Sequence, residues 1–318
     1  MELLRVENLR TYFEIIRGYV KAVDDVSFKV EKGEAFGLAG ESGCGKTTTA
    51  LSILRLLPRN GRVVSGKILF EDKNLLEVDE DDLRKNIRWK KMSVIFQGAM
   101  NSLNPVSNVG NQIAESIQLH EDITKQEALE RAKKLLDLVG IGAERVDRYP
   151  HELSGGLRQR SIIAMALACN PNLIIADEPT TALDVIIEAQ VLKVMKELQT
   201  KLNISMIIIS HDLSMIAETC DKIAIMYAGK IVEQGNIATI YKEPLHPYTE
   251  KLIGAFPSIV GEIRELSTIS GFPPDLLNPP PGCRFHPRCP YAKEICRKEE
   301  PKLVQTGKDR YVACHLVG

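Results

Sequence analysis

Gly40–Thr47 reads GESGCGKT. A glycine, four residues and then Gly-Lys-Thr is the pattern of a loop that holds phosphate with its own backbone. The flanks suit that chemistry. EAFGLAG, a short apolar run ended by glycine, precedes the loop, and the residues from Lys46 to about Leu57 predict a helix stopped at Pro58. Glycines let backbone N–H groups curl around phosphate oxygens, and the start of a helix adds partial positive charge. Ser42, Gly43, Cys44, Gly45, Lys46, Thr47 and Thr48 are therefore expected to line the phosphates. Lys46 reaches the terminal phosphates and the Thr47 hydroxyl ligates Mg²⁺.

Working outward, NLIIADEP (172–179) predicts a buried strand ending in two carboxylates. Asp177 is expected at the carboxyl edge of a sheet, where it holds the Mg²⁺ shell. Glu178 follows and polarises a water for in-line attack on a γ-phosphate. Alone, an apolar run followed by Asp-Glu says little; downstream of a phosphate-binding loop it says much more.

The remaining texture alternates strands with helices, which implies a largely parallel α/β sheet. Residues 1–40 read as strands, and residues 67–96 return to strand-like segments. Residues 98–168 turn helical, with a capping-box pattern at Thr124–Glu127 and an apolar face of Leu129, Ala132, Leu136 and Val139. KIAIMYAGKIVEQG predicts a hairpin turning at Ala228–Gly229. From 243 the texture changes, and GFPPDLLNPPPG is too proline-rich for a helix or central strand. Domains are expected at 1–243, with an inserted helical lobe at about 98–168, and at 244–318, with a linker at 272–282.

The chain of 318 residues is 44% hydrophobic and 26% charged with net charge −1, which is ordinary for a soluble globular protein and gives no global bias toward nucleic acid. No apolar run approaches the roughly 18–20 residues needed to cross a bilayer, and the first residues lack the pattern of a signal peptide. A cytoplasmic location is expected, where thiols stay reduced.

ELSGGLRQR (Glu152–Arg160) resembles the signature sequence of ATP-binding cassette (ABC) proteins. Gln97 in SVIFQ, TALD (Thr181–Asp184) and His211 in IISHD resemble that family's Q-loop, D-loop and switch histidine. A lone Gln or His after a strand is usually structural; in this order, over residues 1–240, they point to an ABC ATPase. The resemblance implies an α/β P-loop NTPase core with an inserted helical subdomain. It implies catalytic roles for Glu178, His211, Gln97 and Asp184, with Gln97 also touching Mg²⁺. Ser154, Gly155 and Gly156 grip the ATP bound to a second, head-to-tail subunit. The signature's fifth residue is usually Gln, and here it is Leu157. Phe13 sits where an adenine-stacking aromatic is expected, with Tyr12 and Tyr19 as near alternatives.

PLHPYTEKLIGAFP, the proline-rich linker and CRFHPRCPYAKEIC resemble the ATPases of oligopeptide/dipeptide/nickel importers. That implies a peptide-import ATPase paired with a second ATPase subunit, identical or not, beneath two permeases. An extracytoplasmic binding protein delivers substrate, and the chain sits peripherally on the cytoplasmic face of the membrane. A soluble ABC ATPase in nucleic-acid or iron–sulfur metabolism is the alternative, as is an importer of nickel or another small solute. No long coiled-coil insertion or aromatic-rich basic surface favours the nucleic-acid reading.

Cys283, Cys289, Cys296 and Cys314 lie in the last 36 residues at spacings of five, six and seventeen. Structural zinc favours pairs two to four apart. Wider spacing suits a larger object, so a small Cys-rich, metal-binding extension is expected around a [4Fe–4S] cluster. Zinc is the lesser alternative, a metal-free tail or redox disulfide stays open, and His286 and His315 are substitute ligands. The tail carries none of the nucleotide motifs. It is expected to act as a structural staple, so that Cys289→Ser loosens it without touching ATP binding.

Overall fold

The computed structural model describes residues 1–255 and 269–317, which divide into two compact units. The first comprises residues 1, 31–35 and 77–209; the second comprises 2–30, 36–76 and the described residues from 210 onward.

The first unit is built on parallel strands Met92–Ile95, Leu173–Asp177 and Ser205–Ser210, in register Met92↔Leu173 and Leu173↔Ser205. The last two are buried at every residue, which explains their unbroken apolar runs: a strand covered on both faces has no solvent side to alternate with. Helices Val109–Gln118, Lys125–Leu138, Gly155–Ala166 and Val185–Leu202 complete it. The capping box forms as expected, with Thr124 N–H donating to Glu127 at 2.9 Å and Glu127 N–H to Thr124 Oγ1 at 3.3 Å. The apolar face starts one residue earlier than expected. Ala128, not Leu129, joins Ala132, Leu135, Leu136 and Val139 in the core, because the cap sets the helix's rotation. Residues 80–87 are helical, not strand-like, since the Asp79 carboxylate caps Asp82 N–H at 2.8 Å and starts a turn.

The second unit carries an antiparallel sheet in the order Gly18–Glu31, Glu2–Ile15, Gly61–Phe70, Lys73–Asn74. It also contains strand Ala35–Ala39 from Phe36 on, parallel to Lys222–Tyr227, which turns back antiparallel into Lys230–Asn236. The hairpin turns where expected, with Ala228 and Gly229 both at positive φ. The helix after the phosphate-loop motif is shorter than expected, Lys46–Leu54, because Arg55 takes a left-handed conformation and ends it three residues before Pro58.

The tail continues this sheet. Arg310–Val312 pairs with Lys230–Asn236 in the register Glu233↔Val312, and Val304–Gly307 lies outside it. Glu233 is fully buried and accepts N–H groups of Leu245 and His246, each at 3.0 Å, and Arg310 Nη2 at 2.7 Å. Removing one partner of such a pair costs about 3–5 kcal/mol, because the other charge stays buried. Phe285 plugs the same region, edge-on to Tyr227 and Tyr248 at 5.1 and 5.4 Å.

The His-Pro-Tyr segment has a local reason. His246 Nδ1 accepts Tyr248 N–H at 3.0 Å and so caps helix Pro247–Gly254, with Pro247 at the first helical position. Burial pushes the His246 pKa down to about 3 from 6.5, so the folded state holds the ring neutral. The unfolded chain therefore binds more protons, and stability falls as pH drops from about 6.5 toward 3, by up to about 1.4 kcal/mol per pH unit. Urea denaturation at pH 7.5 and 5.5 should show this loss, and His246→Asn, a neutral cap, should reduce it. An unchanged pH slope in that variant would place the dependence elsewhere.

Candidate active site

The phosphate loop belongs to the second unit. Strand Ala35–Ala39, buried throughout, feeds the loop into the helix Lys46–Leu54. Gly45 has φ +107, and a Cβ there would meet Ala22 O at 2.2 Å, so only glycine lets the chain close behind the loop. Gly43 is the opposite case, at φ +77 with nothing within 4 Å of a Cβ. Its side of the loop is open to an incoming group. Lys46 is only 6% exposed, and its Nζ donates to Gly40 O at 2.7 Å and Glu41 O at 3.0 Å. Ser42 and Thr47 are exposed, Thr48 is half-buried, and no acidic residue occupies the first helical turn. Cys44 is buried behind the loop, and burial raises its thiol pKa. An open glycine face, a lysine folded over the loop and an acid-free helix start fit a nucleotide polyphosphate with its Mg²⁺.

Asp177 and Glu178 belong to the first unit. Asp177 ends strand Leu173–Asp177 at 3% exposure. Glu178 then takes φ +45, a left-handed conformation that costs a non-glycine residue about 1–2 kcal/mol. Its N–H donates to Ile209 O at 2.9 Å, which holds the turn. Gln97 Nε2 donates to Glu178 Oε2 at 2.6 Å, and Thr181 Oγ1 donates to Glu178 O at 3.1 Å. The two residues, 81 apart in sequence, thus meet as one polar pair. Gln97 and Thr181, whose Oγ1 lies 3.3 Å from Oε2, both donate to this carboxylate and orient it.

Asp184 caps helix Val185–Leu202 through Ile187 N–H at 3.0 Å, and Ser154 caps Gly155–Ala166 through Leu157 N–H at 3.4 Å. That second bond uses only the backbone of Leu157, so the departure at this position leaves the helix start intact. Gly155 and Gly156 form its first turn. His211 is exposed and follows strand Ser205–Ser210; it precedes Asp212, the cap of Leu213–Thr219. Of the three aromatics, Tyr12 donates to Asp24 at 2.9 Å and Tyr19 lies under Arg62 at 5.1 Å. Phe13 is half-buried beside Gly61, whose Cβ would meet its ring at 2.7 Å.

The tail departs from expectation. Among the described residues, no group of three or more His, Cys, Asp or Glu side chains is placed to hold a metal ion. The metal-binding reading of Cys283, Cys289, Cys296 and Cys314 is therefore left without a formed site. Burial pushes the Cys283 thiol up to about 11 and raises Cys289 and Cys314, and the neighbouring thiols add to each shift. The N–H groups of Phe285, Tyr291 and Leu316, each two residues on, hydrogen-bond the sulfurs of Cys283, Cys289 and Cys314.

Nor does the tail stand apart from the phosphate loop. Arg288 Nη1 and Nη2 grip the two oxygens of Glu41 at 2.7 and 3.0 Å, and Tyr248 OH accepts Glu41 N–H at 2.9 Å. Reasoning from the sequence assigned no role to Glu41, Tyr248 or Arg288. Glu41 and Arg288 are separated by 247 positions, and no periodicity or motif connects them. A carboxylate inside a phosphate-binding loop was the one available signal.

Residues 23–181 match the family model described as ABC transporter, and residues 232–296 match the oligopeptide/dipeptide transporter C-terminal region. The oligopeptide transport ATP-binding protein AppD of Bacillus subtilis is 49% identical over 317 residues, spanning 99% of this chain and 96% of that protein. The dipeptide transport ATP-binding protein DppD of Escherichia coli is 44% identical over 317 residues, spanning 99% and 97%. Among solved structures, cbiO1 from Clostridium perfringens, described as part of the ABC transporter complex cbiONQ, matches with TM-score 0.67 at 27% identity. That match covers 76% of this chain and 91% of cbiO1. With an α/β P-loop core and the cassette's motifs in order, the chain belongs to the ABC transporter ATPases, in the group that carries the oligopeptide/dipeptide transporter C-terminal region.

Proposed function

We propose that this chain is the ATP-hydrolysing subunit that powers peptide import through separate membrane permeases. The observation that carries the proposal is that one chain joins a cassette to the oligopeptide/dipeptide transporter C-terminal region. The relatives above are described as oligopeptide and dipeptide transport ATP-binding proteins, which favours peptide transport over a nucleic-acid or iron–sulfur role. Among the described residues no helix is long and apolar enough to cross a membrane, so the transport path is assigned to partners. Those partners are two permeases, with a binding protein delivering peptide, and the chain sits on the cytoplasmic face. A second ATPase subunit, a different chain in preference to a second copy of this one, closes head-to-tail on it.

The proposed roles follow the chemistry of each residue. Lys46 and the amides of residues 42–48 hold the phosphates, and Phe13 stacks on the base. Thr47, Gln97 and Asp177 hold Mg²⁺, which when bound neutralises charge on the terminal phosphates. Glu178, steadied by Gln97, takes the proton of the attacking water, and His211 steadies the γ-phosphate. Asp184 faces the subunit boundary, and Ser154, Gly155 and Gly156 receive the phosphate of the partner's ATP. Residues 1–243 form the nucleotide-binding part, with a helical lobe at about 98–168. Residues 244–318 form the extension, with its linker at 272–282.

The extension is further proposed to hold a [4Fe–4S] cluster, in preference to zinc, on Cys283, Cys289, Cys296 and Cys314. Support comes from the thiols of Cys283, Cys289 and Cys314, each raised in part by neighbouring thiols that include Cys296, and from the N–H that meets each of these three sulfurs. Such a group, when bound, cross-links the tail through thiolate bonds.

Glu178→Gln should retain ATP binding, lose hydrolysis by about 10²-fold or more and, mixed with its partner ATPase subunit, accumulate as a closed dimer on size-exclusion chromatography. Unchanged turnover would remove Glu178 as the base. Anaerobically purified protein should be brown, with broad absorbance near about 400 nm and about four irons per chain. Colourless protein with one zinc per chain would reject the cluster.

A further inference from the structure

A phosphate-binding loop is built to attract a polyanion, yet this one carries a carboxylate immediately after its first glycine. Glu41 is held on every side. Its N–H donates to Tyr248 OH at 2.9 Å, and its carbonyl accepts Lys46 Nζ at 3.0 Å and Cys44 N–H at 3.3 Å. Its carboxylate meets the guanidinium fork of Arg288 at 2.7 and 3.0 Å. Arg288 is itself fully committed. Besides Glu41, it donates from Nε to Ser270 O at 3.0 Å, from Nη2 to Ile269 O at 3.3 Å and from Nη1 to Tyr227 OH at 3.3 Å. The five donors of the guanidinium meet five acceptors. Its side chain is 5% exposed, against 26% for Glu41. A solvated surface pair would show neither the fork geometry nor this saturation.

We propose that Arg288 is a positioning residue for ATP, supplied by the cysteine-bearing tail to cancel the charge of Glu41 and to hold the start of the phosphate loop open to an anion. With Arg288 in place the loop presents its amides and Lys46 without opposing charge. With the tail detached, a bare carboxylate stands in the loop where the polyphosphate arrives, and affinity falls. ATP binding therefore reports the integrity of the tail, and the expectation that tail variants spare ATP binding is reversed.

The proposal rests on the nucleotide reading of Gly40–Thr47, and the experiment separates the two. Fluorescent ATP and ADP analogues are titrated with Mg²⁺ into the full chain, in wild type, Arg288→Gln, Glu41→Gln, the double variant and Lys46→Ala, with thermal melts alongside. One uncompensated charge beside a triphosphate is worth on the order of tenfold in affinity. Arg288→Gln should then bind ATP about tenfold more weakly, with a smaller loss for the less charged ADP. Glu41→Gln should bind ATP about threefold more tightly, and the double variant should return to within about threefold of wild type. That ranking follows local charge and not the number of contacts removed. A purely structural pair predicts the reverse, with the double variant as weak as Arg288→Gln or weaker, and that result overturns the proposal. If Arg288→Gln does not fold, Glu41→Gln still decides: weaker ATP binding in that variant overturns the proposal. Wild type binding no better than Lys46→Ala overturns the nucleotide reading, and the proposal with it.

Discussion

A loop that offers its own amides to an anion cannot fill the space in front of it with side chains, so it has to be shaped from behind. In this protein the backing is tight. Ala22 O stands where a Gly45 side chain would go, and Tyr248 OH and Lys46 Nζ tie down the backbone of Glu41. Each of these groups is brought there by a different segment of the second unit. The order of that unit's strands and the docking of helix Pro247–Gly254 are, in that sense, conditions for the loop.

The tail contributes to the same backing. Its strand Arg310–Val312 and its plug Phe285 have no apolar core of their own and borrow one, around Tyr227, Tyr248 and the fully buried Glu233. A buried Glu–Arg pair is a poor source of stability compared with hydrophobic packing, but it is intolerant of mispairing. Glu233 meets Leu245, His246 and Arg310 together, and so ties the start of the His-Pro-Tyr helix to the tail strand.

Much of this was legible beforehand for local reasons. The phosphate loop, the strand ending in Asp177, the capping box at Thr124 and the turn at Ala228–Gly229 are each specified by residues a few positions apart. Their physics is that of one turn or one strand. Boundaries were less legible: the helix after the loop ends at an Arg55 that nothing in its neighbours marks as left-handed, and Asp79 starts a helix inside a stretch that read as strand. Tyr12 and Tyr19 stood beside Phe13 as alternatives in the sequence, and only the structure shows that Tyr12 meets Asp24 and Tyr19 meets Arg62.

By itself, the amino-acid sequence determined the chemistry: a phosphate loop, a pair of acidic residues after a buried strand, and the ordered motifs of a cassette ATPase. It determined these because each depends on residue type and short spacing. Tertiary structure alone decided which charges face which. The meeting of Gln97 with Glu178 and of Arg288 with Glu41 depends on how the chain returns on itself over 81 and 247 positions. Coulombic and hydrogen-bond energies depend on distance in space, and a linear pattern does not carry that distance.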